Sequence, residues 1–363
     1  MLFKAKYVVL SCIVTVLVLV ACKKDAPKTP ITIDETPFVL EYGSLPTPDL
    51  PADNGLTVQG VQLGKMLFYD TKLSKGNSQS CATCHRQADG FSDSTQFSIG
   101  ATMQVGKRQA MPIFNMAWHS NEFFWDGRAQ ALREQSLIPI ESAIKMDETL
   151  ENVIAKLEDT DMYRDQFMRA FGSEEITAEK MSLAIEQFML SIVSFNSKYD
   201  KYLVGEAELT ESEERGRILF EMEYNPFFPD FSGADCVHCH GGINFENDQY
   251  MNNGLDTDAN IADVGREEAT NNLNDRGKFK VPSLRNVAVT APYMHDGRFR
   301  TLEEVIDHYN EGIQASATAD ITVLNTIDTG LLLTEQDKED LISFLKTLTD
   351  ETFLNEEAYK TPF

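Results

Sequence analysis

The chain has 363 residues, 42% of them hydrophobic and 25% charged, with 21 Gly and 13 Pro. These values sit in the normal globular range and exclude a mainly disordered, collagenous or polytopic membrane protein. Against 57 Asp and Glu stand only 32 Lys and Arg, a formal charge of −25, so phosphate-backbone binding has no electrostatic footprint and nucleic acid is not an expected partner. The length suits two domains with a core each, and the acidity serves either solubility or the steering of a basic protein partner.

Residues 1–21 read as a signal peptide. Lys4 and Lys6 precede an apolar stretch from Tyr7 to Val20, and Leu19-Val20-Ala21 leads into Cys22. The layout resembles a bacterial lipoprotein leader, which implies cleavage before Cys22, acylation of its thiol, and membrane contact through Cys22 alone. A short uncleaved anchor is the alternative, but the apolar run falls below the roughly 18–20 residues that a spanning helix needs. Residues 22–55 are proline-rich with little helical periodicity and read as a tether.

Of six cysteines, Cys12 and Cys22 belong to the leader, and the other four form Cys81-Ala-Thr-Cys84-His85 and Cys236-Val-His-Cys239-His240. Cys-x-x-Cys-His is the attachment pattern of c-type haem: each thiol forms a thioether with a vinyl group while the adjacent histidine turns onto the iron. A chain of this composition holds roughly 0.002 such patterns by chance, so two are no coincidence. A zinc ribbon spaces its knuckles about 15–20 residues apart, whereas 151 residues separate Cys84 from Cys236. A thioredoxin-like dithiol needs a βαβ pattern that the sequence lacks. Two covalently bound haem c groups are therefore expected, and such attachment occurs outside the bacterial cytoplasm.

The chain repeats itself around these motifs. Gly64-Lys65-Met66-Leu67-Phe68 lies 17 residues before Cys81, and Gly216-Arg217-Ile218-Leu219-Phe220 lies 20 before Cys236. Pro112 precedes Asp126-Gly127-Arg128 by 14 residues, as Pro282 precedes Asp296-Gly297-Arg298. The self-similarity argues for a duplicated unit, with a first haem domain over 56–207 and a second over 208–363. Met181, Ile185, Phe188, Ile192 and Phe195 keep a 3.6-residue period along one long helix, while Thr210-x-x-Glu213, Thr301-x-x-Glu304 and Thr334-x-x-Asp337 read as capped helix starts. Loops rich in Gly, Asn and Asp, notably 244–275, separate the helices, and no run alternates as strands do. The expected fold is mainly α: two cytochrome c-like domains, each with one covalently attached haem.

Several segments carry a wider resemblance. They are Cys81 to His85, Phe97-Ser98-Ile99-Gly100, Phe124-Trp125-Asp126-Gly127-Arg128, Cys236 to His240, Val281-Pro282-Ser283-Leu284-Arg285-Asn286, and Pro292-Tyr293-Met294-His295-Asp296-Gly297. Over roughly residues 60–350 the chain resembles the bacterial dihaem cytochrome c peroxidases and their MauG-type relatives. The resemblance implies a peroxide-reacting haem on His85 and an electron-relaying haem on His240, with Trp125 carrying electrons between them and Gln135 orienting peroxide. It implies hydrogen peroxide as substrate, a small cytochrome c or copper protein as electron donor, a periplasmic or envelope location, and a homodimer as a common assembly. It also implies Ca²⁺ between the domains at Gln109, Thr290 and Pro292, although Gln109 stands where the family usually has Asn.

Three departures bear on the subclass. Ala101 occupies the place of a distal histidine, which implies an open first haem unless Met103 reaches in. Tyr309 stands fourteen residues after His295, where ordinary peroxidases ligate the second iron with methionine and MauG-type enzymes use tyrosine; His308, Met294 or simple packing of Tyr309 are the alternatives. Lys145 takes the place of the acid that helps protonate peroxide and cannot replace it unless burial lowers its pKa, with Glu141 or Asp147 as stand-ins. The expected activity is peroxide reduction, and a MauG-like oxidase or a non-enzymatic electron carrier are the competing readings.

Overall fold

The structure is a computed structural model that describes residues 30–363; the leader 1–21, the acylation site Cys22 and residues 22–29 lie outside the described residues. The first half of the chain supplies α1 (Val58–Tyr69), the one-turn α2 (Cys81–Cys84), α3 (Leu132–Glu141), α4 (Leu150–Glu158), α5 (Asp161–Phe171) and α6 (Ala178–Ser191). The second half supplies α7 (Lys198–Leu203), α8 (Glu211–Glu221), α9 (Arg266–Thr270), α10 (Leu302–Asp307), α11 (Ile321–Leu324), α12 (Glu335–Lys346) and α13 (Glu351–Asn355). Strand content among the described residues is one small antiparallel pair, β1 (Tyr250–Met251) with β2 (Phe279–Lys280), in the register Tyr250 to Lys280 and Met251 to Phe279. The fold is mainly helical, and no helix of the described residues is long and apolar enough to cross a membrane.

The repeated Gly-x-x-Leu-Phe segment has a structural job. A Cβ on Gly64 would lie 1.9 Å from the Ala184 carbonyl oxygen of α6, and one on Gly216 would lie 1.9 Å from the Asp340 carbonyl oxygen of α12. Only glycine lets α1 approach α6, and α8 approach α12, this closely. One turn on, Phe68 meets Phe188 with ring centroids 5.2 Å apart, and Phe220 meets Phe344 at 5.3 Å. Two buried clusters form around these pairs. The first includes Phe68, Phe91, Tyr163, Phe167 and Phe188, and the second includes Tyr199, Phe220, Phe245 and Phe344. Each buried aromatic contributes about 1.5–3 kcal/mol relative to exposure.

Helix starts follow the sequence signals. Thr210 with Glu213, Thr301 with Glu304, and Thr334 with Asp337 form reciprocal capping boxes at the starts of α8, α10 and α12. One helix is shorter than its periodicity implies: α6 ends at Ser191, and Ile192 is extended (φ −83°, ψ 101°). The chain leaves the helix there because the Ile192 carbonyl accepts from the Asn115 amide and the Ser194 amide donates to the Asn115 side chain. Ile192 and Phe195 therefore lie beyond the helix, although Ile192 stays fully buried.

Two segments depart from the sequence-based layout. From Asp34 on, the stretch read as a tether lies against the helical body. Asp34 donates its amide to the Arg169 carbonyl, Trp118 Nε1 donates to the Pro46 carbonyl, and Asn54 is buried with its amide on Glu186. Apolar residues between the prolines, Phe38, Leu40 and Leu50, give it a surface to bury. The chain's end crosses back in the same way. Phe353 of α13 packs on Phe91 and Phe114 of the first cluster, and the Tyr359 hydroxyl accepts from the Val193 amide.

Candidate active site

Both Cys-x-x-Cys-His motifs lie on single tight turns, α2 for the first and a 3-10 turn Cys236–His238 for the second. Each histidine is held by its own loop. His85 Nδ1 lies 3.0 Å from the Phe91 carbonyl oxygen, and His240 Nδ1 lies 3.0 Å from the Phe245 carbonyl oxygen. A carbonyl only accepts, so Nδ1 carries the proton and Nε2 keeps its lone pair for a metal. Burial pushes both imidazoles down to about 4, which keeps them neutral. Burial also pushes the thiols of Cys81, Cys236 and Cys239 up to about 12 and raises that of Cys84. Two adjacent thiols beside a tautomer-fixed imidazole fit a c-type haem at each motif.

The first motif opens into a cavity of about 1050 Å³ whose wall includes Cys81, Cys84, His85, Trp125, Gln135 and Lys145. Residues placed together by resemblance alone thus share one chamber. Gln135 reaches it from α3, and Trp125 from the Asp-Gly-Arg turn. The Trp125 indole is buried and donates Nε1–H to the Gln109 carbonyl at 2.8 Å, while its own carbonyl accepts from the Lys280 amide of β2. Trp125 therefore ties the wall of the first site to the strand pair of the second half.

No side chain offers a distal ligand from the 98–106 loop. Ala101 donates its amide to the Lys145 carbonyl at 2.7 Å, and Met103 is 76% exposed and outside the cavity wall. Neither stand-in acid reaches the chamber: Glu141 is exposed, and Asp147 pairs with Lys75 at 2.7 Å. Lys145 does open onto it, with its ammonium 5.4 Å from the Phe124 ring. Lys145 is solvent-accessible, yet partial desolvation by the surrounding protein, with the Arg128 charge nearby, holds that ammonium below its ordinary range, the direction a lysine needs to act as a proton donor.

At the second motif, Tyr309 sits on the π-helical turn His308–Gly312 and packs against the second core. Burial, with the Cys239 and Cys236 thiols close by, pushes its phenol up to about 12; an anionic phenolate here needs the charge of a bound metal. Asn253 Nδ2 lies 3.2 Å from the Tyr309 hydroxyl and 3.3 Å from Met294 Sδ, so both stand on one side of the motif. His308 Nε2 is engaged by the Asn253 carbonyl at 3.1 Å. Sequence spacing gives no signal for Asn253, which lies 56 residues from Tyr309. Of the remaining residues, Gln109 is buried with its amide on Ser92 and Asp93, Thr290 lies against Gly90, and Ala291-Pro292 is a cis peptide bond.

The Asp-Gly-Arg turns repeat in detail. Phe123 pairs with Ala129 and Tyr293 with Phe299 as isolated bridges, the residues Phe124 and Met294 share positive φ (70° and 73°), and each aspartate accepts the arginine amide two residues on at 3.2 Å.

A dihaem enzyme class is what this double site defines, and comparison with known proteins agrees. A family model described as "Di-haem cytochrome c peroxidase" matches residues 58–208. The methylamine utilization protein MauG of Methylophilus methylotrophus is 33% identical over 303 residues, 82% of this chain and 84% of that one. The cytochrome c551 peroxidase of Nitrosomonas europaea is 34% identical over 292 residues, 80% of this chain and 79% of its own. A crystal structure of a MauG-like protein associated with microbial copper homeostasis superposes with a TM-score of 0.76 at 36% identity, covering 88% of this chain and 97% of that chain. The chain belongs to the dihaem cytochrome c peroxidase and MauG family. It is an oxidoreductase of the peroxidase type, and haem c is the cofactor this family implies.

Proposed function

We propose that the protein is exported and reduces hydrogen peroxide to water at the His85 haem, with electrons from a small external redox protein arriving through the His240 haem and Trp125. The balance is H₂O₂ + 2 e⁻ + 2 H⁺ → 2 H₂O. The observation that carries the reading is the single chamber that joins the first motif to Gln135 and Trp125 while neither Ala101 nor Met103 of the 98–106 loop supplies a ligand to it. Haem held by Cys81, Cys84 and His85 would supply the redox-active iron. The chain then acts as follows. The Phe91 carbonyl fixes the His85 tautomer, Gln135 hydrogen-bonds and orients peroxide, and Lys145, its ammonium made more acidic by partial desolvation, is the proton donor within the chamber. Trp125, buried and held by Gln109, offers the electron path. Calcium at Gln109 with the Thr290 and Pro292 carbonyls belongs to the same reading, supported by how close this segment lies to Gly90 and Ser92.

The test is a stopped-flow spectrum of the fully ferric, haem-loaded protein mixed with one equivalent of peroxide. A rapid Soret shift is expected; no change before one haem is reduced would overturn the open first site, and no change in either state would leave only an electron carrier. A second reading, peroxide-driven oxidation of a protein or small molecule in the manner of MauG-type enzymes, is favoured by Tyr309 beside the second motif. Covalent change in a partner, with no turnover of a redox-protein donor, would select it.

A further inference from the structure

In front of the second haem motif stands a loop three residues longer than the one before the first, and unlike it in carrying phenylalanines. Residues 225–232 form a tight excursion, Asn225-Pro226-Phe227-Phe228-Pro229-Asp230-Phe231-Ser232, closed at its neck by backbone bonds. Gly233 donates its amide to the Glu223 carbonyl at 3.0 Å, Asp235 to that of Met222 at 3.0 Å, and Ala234 to that of Leu219 at 2.8 Å, while the Asn225 amide donates to Ser232 Oγ at 2.9 Å. The neck is immediately followed by Cys236. The loop is thus rooted on α8 and on the haem-attachment turn rather than hanging free.

Its tip carries three aromatic side chains turned to solvent: Phe227 is 85% exposed, Phe228 63% and Phe231 73%. Val237, inside the haem motif itself, is 37% exposed, and His238 beside it is exposed too. Leaving three phenylalanines in water forgoes about 1.5–3 kcal/mol each, and clustered exposed aromatics of this kind mark interaction surfaces. The chain after α8's arginines is acidic in sequence. Residues 218–265 contain nine Asp and Glu and no Lys or Arg, and Glu223, Asp230 and Asp235 stand at the neck and tip of the loop.

An exposed apolar tip with Glu223, Asp230 and Asp235 on the same loop, leading directly into the second motif, fits one kind of occupant. We propose that the 225–232 loop is the docking face for the electron donor, a small redox protein that presents its own cofactor through an apolar patch in a basic surface. This rests on the proposed function, whose electrons enter at the His240 haem. The phenylalanines supply the desolvated contact that holds the complex, and the carboxylates raise the encounter rate in a salt-dependent way. A one-electron donor docked here would have to bind twice for each peroxide reduced, since the reaction H₂O₂ + 2 e⁻ + 2 H⁺ → 2 H₂O takes two electrons.

The experiment uses the haem-loaded full chain and a basic mono-haem cytochrome c as probe. Binding is titrated by calorimetry at low ionic strength, and peroxide-dependent turnover is followed with either the cytochrome or a small-molecule reductant. The triple variant Phe227→Ser/Phe228→Ser/Phe231→Ser should weaken cytochrome binding by about 10-fold or more, raise KM for the cytochrome, and leave turnover with the small reductant unchanged. Glu223→Gln/Asp230→Asn should flatten the salt dependence while retaining binding at high salt. Equal cytochrome affinity in wild type and triple variant would overturn the proposal, as would no cytochrome binding to wild type. Loss of binding to phosphatidylglycerol vesicles with donor binding intact would overturn it in favour of a membrane contact. If neither donor supports peroxide turnover, the peroxidase reading fails, and the binding titration still decides the docking face.

Discussion

The two halves of the molecule share a glycine-closed helix pair, a Cys-x-x-Cys-His turn with a carbonyl-held histidine, and an Asp-Gly-Arg turn, yet they differ in what stands around that histidine. The first motif faces a chamber whose wall offers Gln135, Lys145 and Trp125, with no side chain of the 98–106 loop reaching in as a ligand. The second is packed behind Tyr309, Met294 and Asn253, and its attachment turn comes to the surface beside exposed phenylalanines. Even the nearby charge differs: Lys75, Arg86, Lys107 and Arg108 flank the first motif in sequence, while the second lies in a stretch without a basic residue. The repeat gives two equivalent frames, and on the function proposed above loop chemistry makes one a reaction chamber and the other a port for electrons.

The sharpest way to break this contrast is to remove each histidine in turn. His85→Gly should reduce peroxide consumption to background and abolish the Soret response to peroxide. His240→Gly should keep that spectral response and lose only donor-supported turnover. A common loss in both would mean that the halves are not specialised.

Next in size is the buried pair that anchors the second frame. Arg285 forks onto Asp200 with two 2.9 Å bonds, and its Nε donates to the Ile243 carbonyl in the loop after His240. Burial alone would raise the Asp200 carboxyl, but the Arg285 fork and Ser197 override it and hold the group below the usual carboxylate range. Asp200→Asn should cost about 3–5 kcal/mol because it leaves Arg285 buried without its counter-charge, read as a lowered denaturation midpoint and a perturbed second-haem spectrum. The sign with pH follows. The pair's stabilisation is complete above the unfolded Asp value of about 3.9 and is lost as pH falls through the lower folded value. Acid titration should therefore show a stability decline below about pH 4 that is shallower in Asp200→Asn than in wild type, by the share this one carboxylate contributes.

Within the chamber, Gln135→Leu should lower kcat/KM for peroxide by about 10²-fold, the usual effect of removing one preorganised hydrogen-bond group. The second haem's spectrum should not move. An unchanged kcat/KM would remove Gln135 from the site.

The smallest expected effect compares the two helix pairs directly. Gly64→Ala and Gly216→Ala each force a methyl group against a backbone carbonyl and should each cost about 1–3 kcal/mol by overpacking. Thermal unfolding followed at each haem should show the first change destabilising the His85 frame and the second the His240 frame. If both changes move both transitions equally, the returning α13 and Tyr359 bind the halves into one cooperative unit.

Much of the site could be read from local chemistry in the chain. Cys-x-x-Cys-His works within one turn, so its spacing is its geometry; the threonine capping boxes span three residues and formed as read. The glycine before each Leu-Phe marked the repeat, although only the helix pairs reveal that it faces a carbonyl oxygen. Longer-range facts had no local trace. That α6 stops before Ile192 depends on Asn115, and the docking of residues 34–55 depends on Arg169, Trp118 and Glu186. Asn253 beside Tyr309, Lys145 facing the chamber while Glu141 and Asp147 do not, and α13 crossing back to Phe91 are likewise matters of packing. Covalent motifs and helix caps act over a few residues and are written in order along the chain. Burial, enclosure and the partner of a polar group depend on segments a hundred or more residues apart, and only the folded chain brings those together.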